Sequence, residues 1–487
     1  MQDPATQKKS GAPTLRGLLT LYPVQERIFS ELDIKSILAL CSTSWDMRLD
    51  IKSYLWDINK RLNRFFKDPL AFRTELGRSE AVISGSFALQ FFARTFWPNS
   101  DLDISVRNDE DKVISLVKFL VEKEGYELAS NDEIVLEGYT DSNGVFKPFS
   151  NYRLEEISRI ITFHKYDKKD TITTITGTTV TTTPTTPKAA TPNTKKSVKD
   201  KDKVRDKSPK PAKPTRTPLA QVQIIVTKEH PIKAIINGYY TSCIVNFITW
   251  NRAYCLFPRA TLLFKETIPL TRWGDDLMAL HTKYCLRGWR LRVILTHNQK
   301  ASLFPASHPR GRIHPLGHFM REERFIGGSD TWKMRLDTAG VDRREIKQPD
   351  MIIDYSAFRF INFDPQQTSP DGEGLRLETH TFRSNSLRYT YLYGDYKTYW
   401  VRLSHRLERN TLAQMSAKLK GSEAGALVEG IQTATQLHDL EFEKPAGWDY
   451  WDDALPEAFE AMWEEGREGR VERDKGKGEE VVWALPG

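Results

Sequence analysis

Apolar positions change their period several times along the chain, and each change marks an element. In residues 18–56, Val24, Ile28 and Leu32 fall four apart, on one helical stripe. Pro23 suits a first helical turn, and Asp33 can cap a second helix carrying Ile37, Leu38 and Cys41. Residues 54–76 predict an amphipathic helix with Leu55, Ile58, Leu62, Phe65 and Phe66 apolar and Lys60, Arg61 and Arg64 outward, leading into a strand at Ala81–Ser84. Residues 109–124 predict a helix with an acidic first turn, a Val113/Leu116/Val117/Leu120 stripe and Gly125 as its stop. Gln221–Thr227 predicts a buried strand, and Gly288–Leu295 a helix end running into a strand. Further strands are predicted within 331–338, 350–363 and 375–393, with Asp364–Gly374 as a hairpin connection and polar helices over 397–420 and 425–440.

Residues 165–218 break the pattern. A threonine-rich run gives way to Lys, Pro and Asp repeats, with too little apolar surface to offset the entropy of ordering. The segment predicts a disordered insertion dividing the strands of one domain, because a strand resumes directly after it. It carries 12 Lys and 2 Arg against 5 Asp, a charge of +9; the chain as a whole has +7, which leaves 7 − 9 = −2 for the rest. Basicity therefore belongs to one segment rather than to a folded face, and nucleic acid as a partner has weak support. Lys195–Lys213 reads as a solvated spacer, with a nuclear address or nucleic-acid contact as the alternatives.

Residues 83–104 carry the chemistry. Gly85 and Ser86 open an apolar helical stretch, where free N–H groups can meet an anion; Trp97-Pro98-Asn99-Ser100 turns the chain into Asp101-Leu102-Asp103. Residues i and i+2 of a strand point the same way, so Asp101 and Asp103 present paired carboxylates suited to a divalent cation that also holds a phosphate. The arrangement resembles the core motif of the DNA polymerase β-type nucleotidyltransferases. That resemblance implies Mg²⁺ on Asp101 and Asp103, a nucleoside triphosphate on Gly85 and Ser86, and a third carboxylate on the following strand. The aligned strand carries Gln223 there, an amide that cannot take a proton. Either Asp337, Asp350 or Asp354 substitutes, or the fold binds nucleotide without catalysis. The chain also resembles a group of fungal proteins around Ile83–Ile104, Cys243–Arg259 and Thr331–Thr338.

The helices of 18–56 are similar to an F-box: a Pro near the first helix, Ile28-Phe29-x-x-Leu32, then Ile37-Leu38-x-Leu40 and Ser44, Trp45 and Arg48, although the opening reads Leu21-Tyr22-Pro23-Val24. The resemblance implies docking of a Skp-type adaptor of cullin ubiquitin ligases on a surface of Leu21, Pro23, Ile28 and Leu32. The alternative is a helical cap packing on the next domain.

Other clusters carry less. His308, His314 and His318 are close in sequence, but Pro and Gly interrupt them, so a basic loop is the simpler reading than zinc. Arg310, Arg312, Arg321 and Arg324 can meet phosphates or the acidic C-terminal segment, and Gly327-Gly328-Ser329 reads as a β-turn. Aromatics interleaved with Arg over 382–409 can stack bases, but packing explains them more simply. Residues 441–487 hold 14 acidic against 6 basic residues, and Trp451, Leu455, Phe459, Met462 and Trp463 form one stripe of a short helix starting near Leu455. It is expected to dock on the chain's own body near the basic 286–325 region, with docking on a partner helix as the alternative. Four scattered cysteines, no N-terminal apolar h-region and no long apolar run predict a cytoplasmic or nuclear protein without a membrane span.

The predicted class is α+β, a nucleotidyltransferase-like mixed sheet with flanking helices and a small helical N-terminal region. Its parts are a disordered 1–17, the F-box-like 18–56, a core of 57–164 and 219–295 split by the 165–218 insertion, an α+β region of 296–440, and the acidic 441–487.

Overall fold

The computed structural model describes residue 17 and residues 21–129, 138–140, 146–148, 156–167, 217–270, 275–292, 323–328, 330–362, 375–394, 400–418, 442–459 and 461. In chain order its main elements are α1 (Tyr22–Glu31), α2 (Ile34–Cys41), α3 (Trp45–Leu55), α4 (Ile58–Leu62), α5 (Pro69–Arg78), β1 (Val82–Ser84), α6 (Gly85–Ala93), β2 (Leu102–Arg107), α7 (Glu110–Lys118), β3 (Glu127–Leu128), β4 (Ile157–Lys165), β5 (Ala220–Thr227), α8 (Pro231–Gly238), β6 (Asn246–Ile248), β7 (Arg252–Cys255), α9 (Asp275–Leu286), β8 (Trp332–Arg335) and α10 (Val401–Lys418).

The strands form one mixed sheet in the order β8-β7-β6-β1-β2-β5-β4-β3. Only β2 and β5 pair in parallel; every other neighbour is antiparallel. Lys165 pairs with Ala220 where β4 ends and β5 begins, so the intervening chain leaves and rejoins one sheet. Residues 168–216 of the predicted 165–218 insertion lie outside the described residues; its first residue, Lys165, is instead the last of β4.

Alternation sorts the central strands into two faces. Leu102, Ile104 and Val106 of β2 and Val222, Ile224 and Val226 of β5 are fully buried, in one core with Phe72 and Leu76 of α5 and Val113 and Leu116 of α7. The intervening residues face α8, whose Ile232, Ile235 and Ile236 enter a second core with Val82 and Tyr239. A third cluster joins Trp400, Leu403 and Leu407 to Leu455 and Phe459, beside a small sheet of 323–325, 357–362 and 375–378.

Several expectations need correction. The helix predicted over 54–76 is divided among α3, α4 and α5, because Asp57 and Asp68 cap new helices and Pro69 occupies a first turn. Residues 350–363 are a helical turn, Met351–Asp354, followed by a strand, Ala357–Asn362. The 109–124 helix runs as α7 and a wider turn, Phe119–Lys123, before Gly125 (φ 75°) stops it. The C-terminal helix begins at Leu455 as expected, and Phe459 packs on Tyr355, Trp400 and Phe325; residues 293–322 of the stretch expected to receive it lie outside the described residues. The 425–440 helix, Met462 and Trp463 lie outside the described residues.

Candidate functional site

β1 enters α6 through Gly85, which has a left-handed φ of 64°. A Cβ there would stand 2.1 Å from Asp103 Oδ2. Glycine is required twice over, by the turn and by this approach. The Asp103 carboxylate thus lies against the first residue of α6, where unpaired N–H groups and the positive end of the helix dipole favour negative charge.

Register places the neighbours. Ser84 lies opposite Asp103, Asp103 opposite Gln223, and Gln223 opposite Thr162, a polar row crossing β1, β2, β5 and β4 on the α8 face. Asp103 is 7% exposed, whereas Asp101, just before the strand, is half-buried. Ser84 and Ser105 bring their hydroxyls to 3.2 Å beside it.

Two side chains hold the turn that delivers Asp101. Arg64 donates to the carbonyls of Trp97 at 2.9 Å, Ser100 at 2.5 Å and Pro98, and to the Ser100 hydroxyl at 3.2 Å. It also lies over the Phe65 ring at 4.8 Å, so the outward position predicted for it is wrong: the turn's carbonyls draw the guanidinium inward. Gln90 accepts from the Trp97 amide at 2.6 Å and donates to the Ser100 hydroxyl at 2.9 Å and to the Ser86 carbonyl at 3.2 Å.

The other side of the site comes from distant sequence. The Tyr239 hydroxyl reaches Ser84, the Gly85 amide and the neighbourhood of Asp103; burial first, then Asp103, pushes its pKa well above the usual range. Arg287, just past α9, lies over Trp97 at 3.9 Å and over Tyr284 at 5.5 Å. Burial raises the Tyr284 pKa far above normal, and among the charges it feels are both Arg287 and Asp103. Ser86 is 6% exposed. Its hydroxyl, like the buried Nη1 of Arg287, has no hydrogen-bond partner among the described residues. None of Gln90, Tyr239 or Arg287 was singled out from sequence; the clue at hand was the local one, Gln90 one helical turn after Ser86.

The three acids considered as substitutes for Gln223 stand elsewhere. Asp350 and Asp354 pair with Arg252 of β7, and Asp354 also accepts from the Tyr254 hydroxyl and from Lys333, each at 3.0 Å. β7 is three strands from β2, roughly 14 Å at ordinary strand spacing. Asp337 follows β8, one strand further out, and accepts from the Ala339 amide at 2.9 Å. Among the described residues, no three of His, Cys, Asp and Glu gather into a metal-holding group. With an amide at Gln223, at most two carboxylates stand here, too few to balance a pair of divalent ions.

Elsewhere, Arg324 does not face phosphate. Its guanidinium donates to the Leu256 and Asp330 carbonyls at 3.0 Å each, among Phe257, Phe358 and Phe360, and burial lowers its pKa to about 10. Gly328 donates to the Phe325 carbonyl at 3.0 Å, as a turn requires. Phe382, Tyr391 and Trp400 are buried, so they pack rather than present stacking faces. His308, His314, His318, Arg310, Arg312 and Arg321 lie outside the described residues. Among the described residues no helix is long and apolar enough to cross a membrane. No family model, no curated protein and no solved structure matches the chain.

Proposed function

We propose that the sheet around Asp103 is a nucleotidyltransferase-like core that binds a nucleoside triphosphate with one magnesium ion and does not transfer it. The observation behind this reading is the row Ser84–Asp103–Gln223, in which a neutral amide stands beside the buried carboxylate. Binding needs what is assembled here: a glycine-turned helix N-terminus, two carboxylates and a tight turn that fixes one of them. Transfer needs one thing more, a third anion to balance a second metal and draw the proton from an attacking hydroxyl. Calorimetry with each of the four ribonucleoside triphosphates in Mg²⁺ tests the reading. The expected result is binding of at least one, lost in Asp103→Asn, with no turnover of labelled triphosphate. Turnover by the wild-type chain at rates near 1 s⁻¹, roughly the floor for ordinary enzymes, overturns the claim of silence.

A second reading concerns α1–α3, similar to an F-box. Phe29, Ile37, Cys41 and Ile51 are buried in the first core, and Arg94 donates to the Leu32 carbonyl at 3.2 Å, so the helices are seated on the body. Ile28 and Leu32 pack on that core too, whereas Leu21, Trp45 and Leu49 are exposed at 54%, 67% and 48%. Of the four residues expected to dock an adaptor, Leu21 and Pro23 stay exposed, so docking falls to them together with Trp45 and Leu49. Trp45→Asp with Leu49→Asp should abolish recovery of a Skp-type adaptor at unchanged melting. If the wild-type chain recovers none where a known F-box does, the helices are a cap only.

A further inference from the structure

Two polar atoms flank the turn that carries Asp101, and neither has a hydrogen-bond partner among the described residues: the Ser86 hydroxyl and Nη1 of Arg287. Buried donors left without a partner cost stability, so such a pair marks a place where something else accepts from them. They arrive from separate elements, Ser86 from the second position of α6 and Arg287 from the turn after α9. One path joins them. Gln90 bridges the Ser86 carbonyl to the Trp97 amide, and the Trp97 ring carries the Arg287 guanidinium at 3.9 Å. The rings of Trp97 and Tyr284, over which Arg287 lies, pack in the same core as Tyr239, which sets the guanidinium on the carboxylate side of the sheet.

We propose that Arg287 is the cation that grips the polyphosphate of the bound nucleotide, with the Ser86 hydroxyl donating to the same chain of phosphates; this rests on the nucleotide reading above. Arginine suits the task because its planar fork can stack on Trp97 and still offer edge donors to phosphate oxygens. The stack orients the fork in advance, so less rotamer freedom is lost on binding. The helix N-terminus adds the Ser86 backbone donor, the Gly85 amide being met by the Tyr239 hydroxyl, and a magnesium ion held by Asp101 and Asp103 would offset the remaining negative charge. A nucleoside without phosphates makes none of these contacts, so the determinant of recognition is the phosphate chain.

The probes are inorganic tripolyphosphate and the four ribonucleoside triphosphates, each with equimolar Mg²⁺, and the corresponding nucleosides, titrated calorimetrically into the full-length chain. Arg287→Gln should weaken tripolyphosphate and the bound triphosphate about tenfold or more, as expected for losing a charge-assisted phosphate contact, with Arg287→Lys intermediate. Ser86→Ala should weaken both by a smaller factor. It removes a hydroxyl with no partner among the described residues, so it keeps the fold and carries the test if Arg287→Gln does not fold. If neither Arg287→Gln nor Ser86→Ala changes affinity while Asp101→Asn does, the proposal fails and the nucleotide reading stands. If Arg287→Gln weakens the nucleoside as much as the triphosphate, the arginine serves the base and the proposal fails. If neither tripolyphosphate nor any triphosphate binds the wild-type chain, both fall.

Discussion

Two faces of the same strands behave as two different materials. Toward α5 and α7, β2 and β5 present an unbroken apolar surface from Leu102 to Val226, fully buried. One residue over, toward α8, stand Asp103, Ser105, Gln223 and Thr227, with Ile225 an apolar residue among them. Nothing in backbone geometry separates the two sets; only the parity of position does. The first face holds the sheet to its helices. The second is polar, yet nearly as deeply buried at Asp103 and Ser105, so its groups are placed by the packing around them rather than by solvent.

That contrast can be broken from either side. The largest effect is expected from Ile104→Asp, which sets an unpaired charge in the apolar face and should cost more than about 4 kcal/mol, seen as loss of the cooperative melting transition. Asp103→Asn, one residue away, should lower the melting temperature by no more than about 3 °C, since the helix N-terminus contributes about 1 kcal/mol or less, while abolishing Mg²⁺-dependent triphosphate binding. A stability loss as large as that of Ile104→Asp would erase the distinction between the faces. Gln223→Asp sharpens it differently: two like charges on adjacent strands should cost about 0.5–1 kcal/mol in chelator, and added Mg²⁺ should restore it, read as a melting difference between the two buffers. A variant that melts identically in both would show that the row holds no metal. The smallest effect belongs off both faces. Replacing residues 168–216 with a short glycine–serine turn should leave melting within about 2 °C, because shortening a long loop changes its closure entropy only logarithmically.

The carboxylate side of the site is legible in the sequence and the other side is not, for a physical reason. Gly85, Ser86, Asp101 and Asp103 fall inside one strand–helix–strand unit, where turn chemistry and alternation fix positions locally. The place of Gln223 beside Asp103 was also readable, because a strand had to follow the insertion and lie next to the first. Arg64 misled because an arginine on an amphipathic pattern reads as solvent-facing, and only the carbonyls of a turn more than thirty residues on reveal its use. Tyr239 and Arg287 carry no local signature at all; they enter through packing between elements that no period predicts. The same limit explains residues 350–363, where the hydrophobic run suits helix and strand alike and the structure uses both, a helical turn over Met351–Asp354 and a strand over Ala357–Asn362.

The pairing of Lys165 with Ala220 has a practical consequence. The Leu219 amide donates to the Lys165 carbonyl at 2.7 Å, so the two chain ends meet in register where they leave the sheet. A protein with such a junction can be made in two pieces. The first fragment would contribute β1 to β4 and the second β5 to β8, with β5 slotting between β2 and β4 through hydrogen bonds on both edges. Neither fragment alone brings Asp103 beside Gln223, so recovery of the full sheet, and of the nucleotide binding proposed above, would report their reassembly.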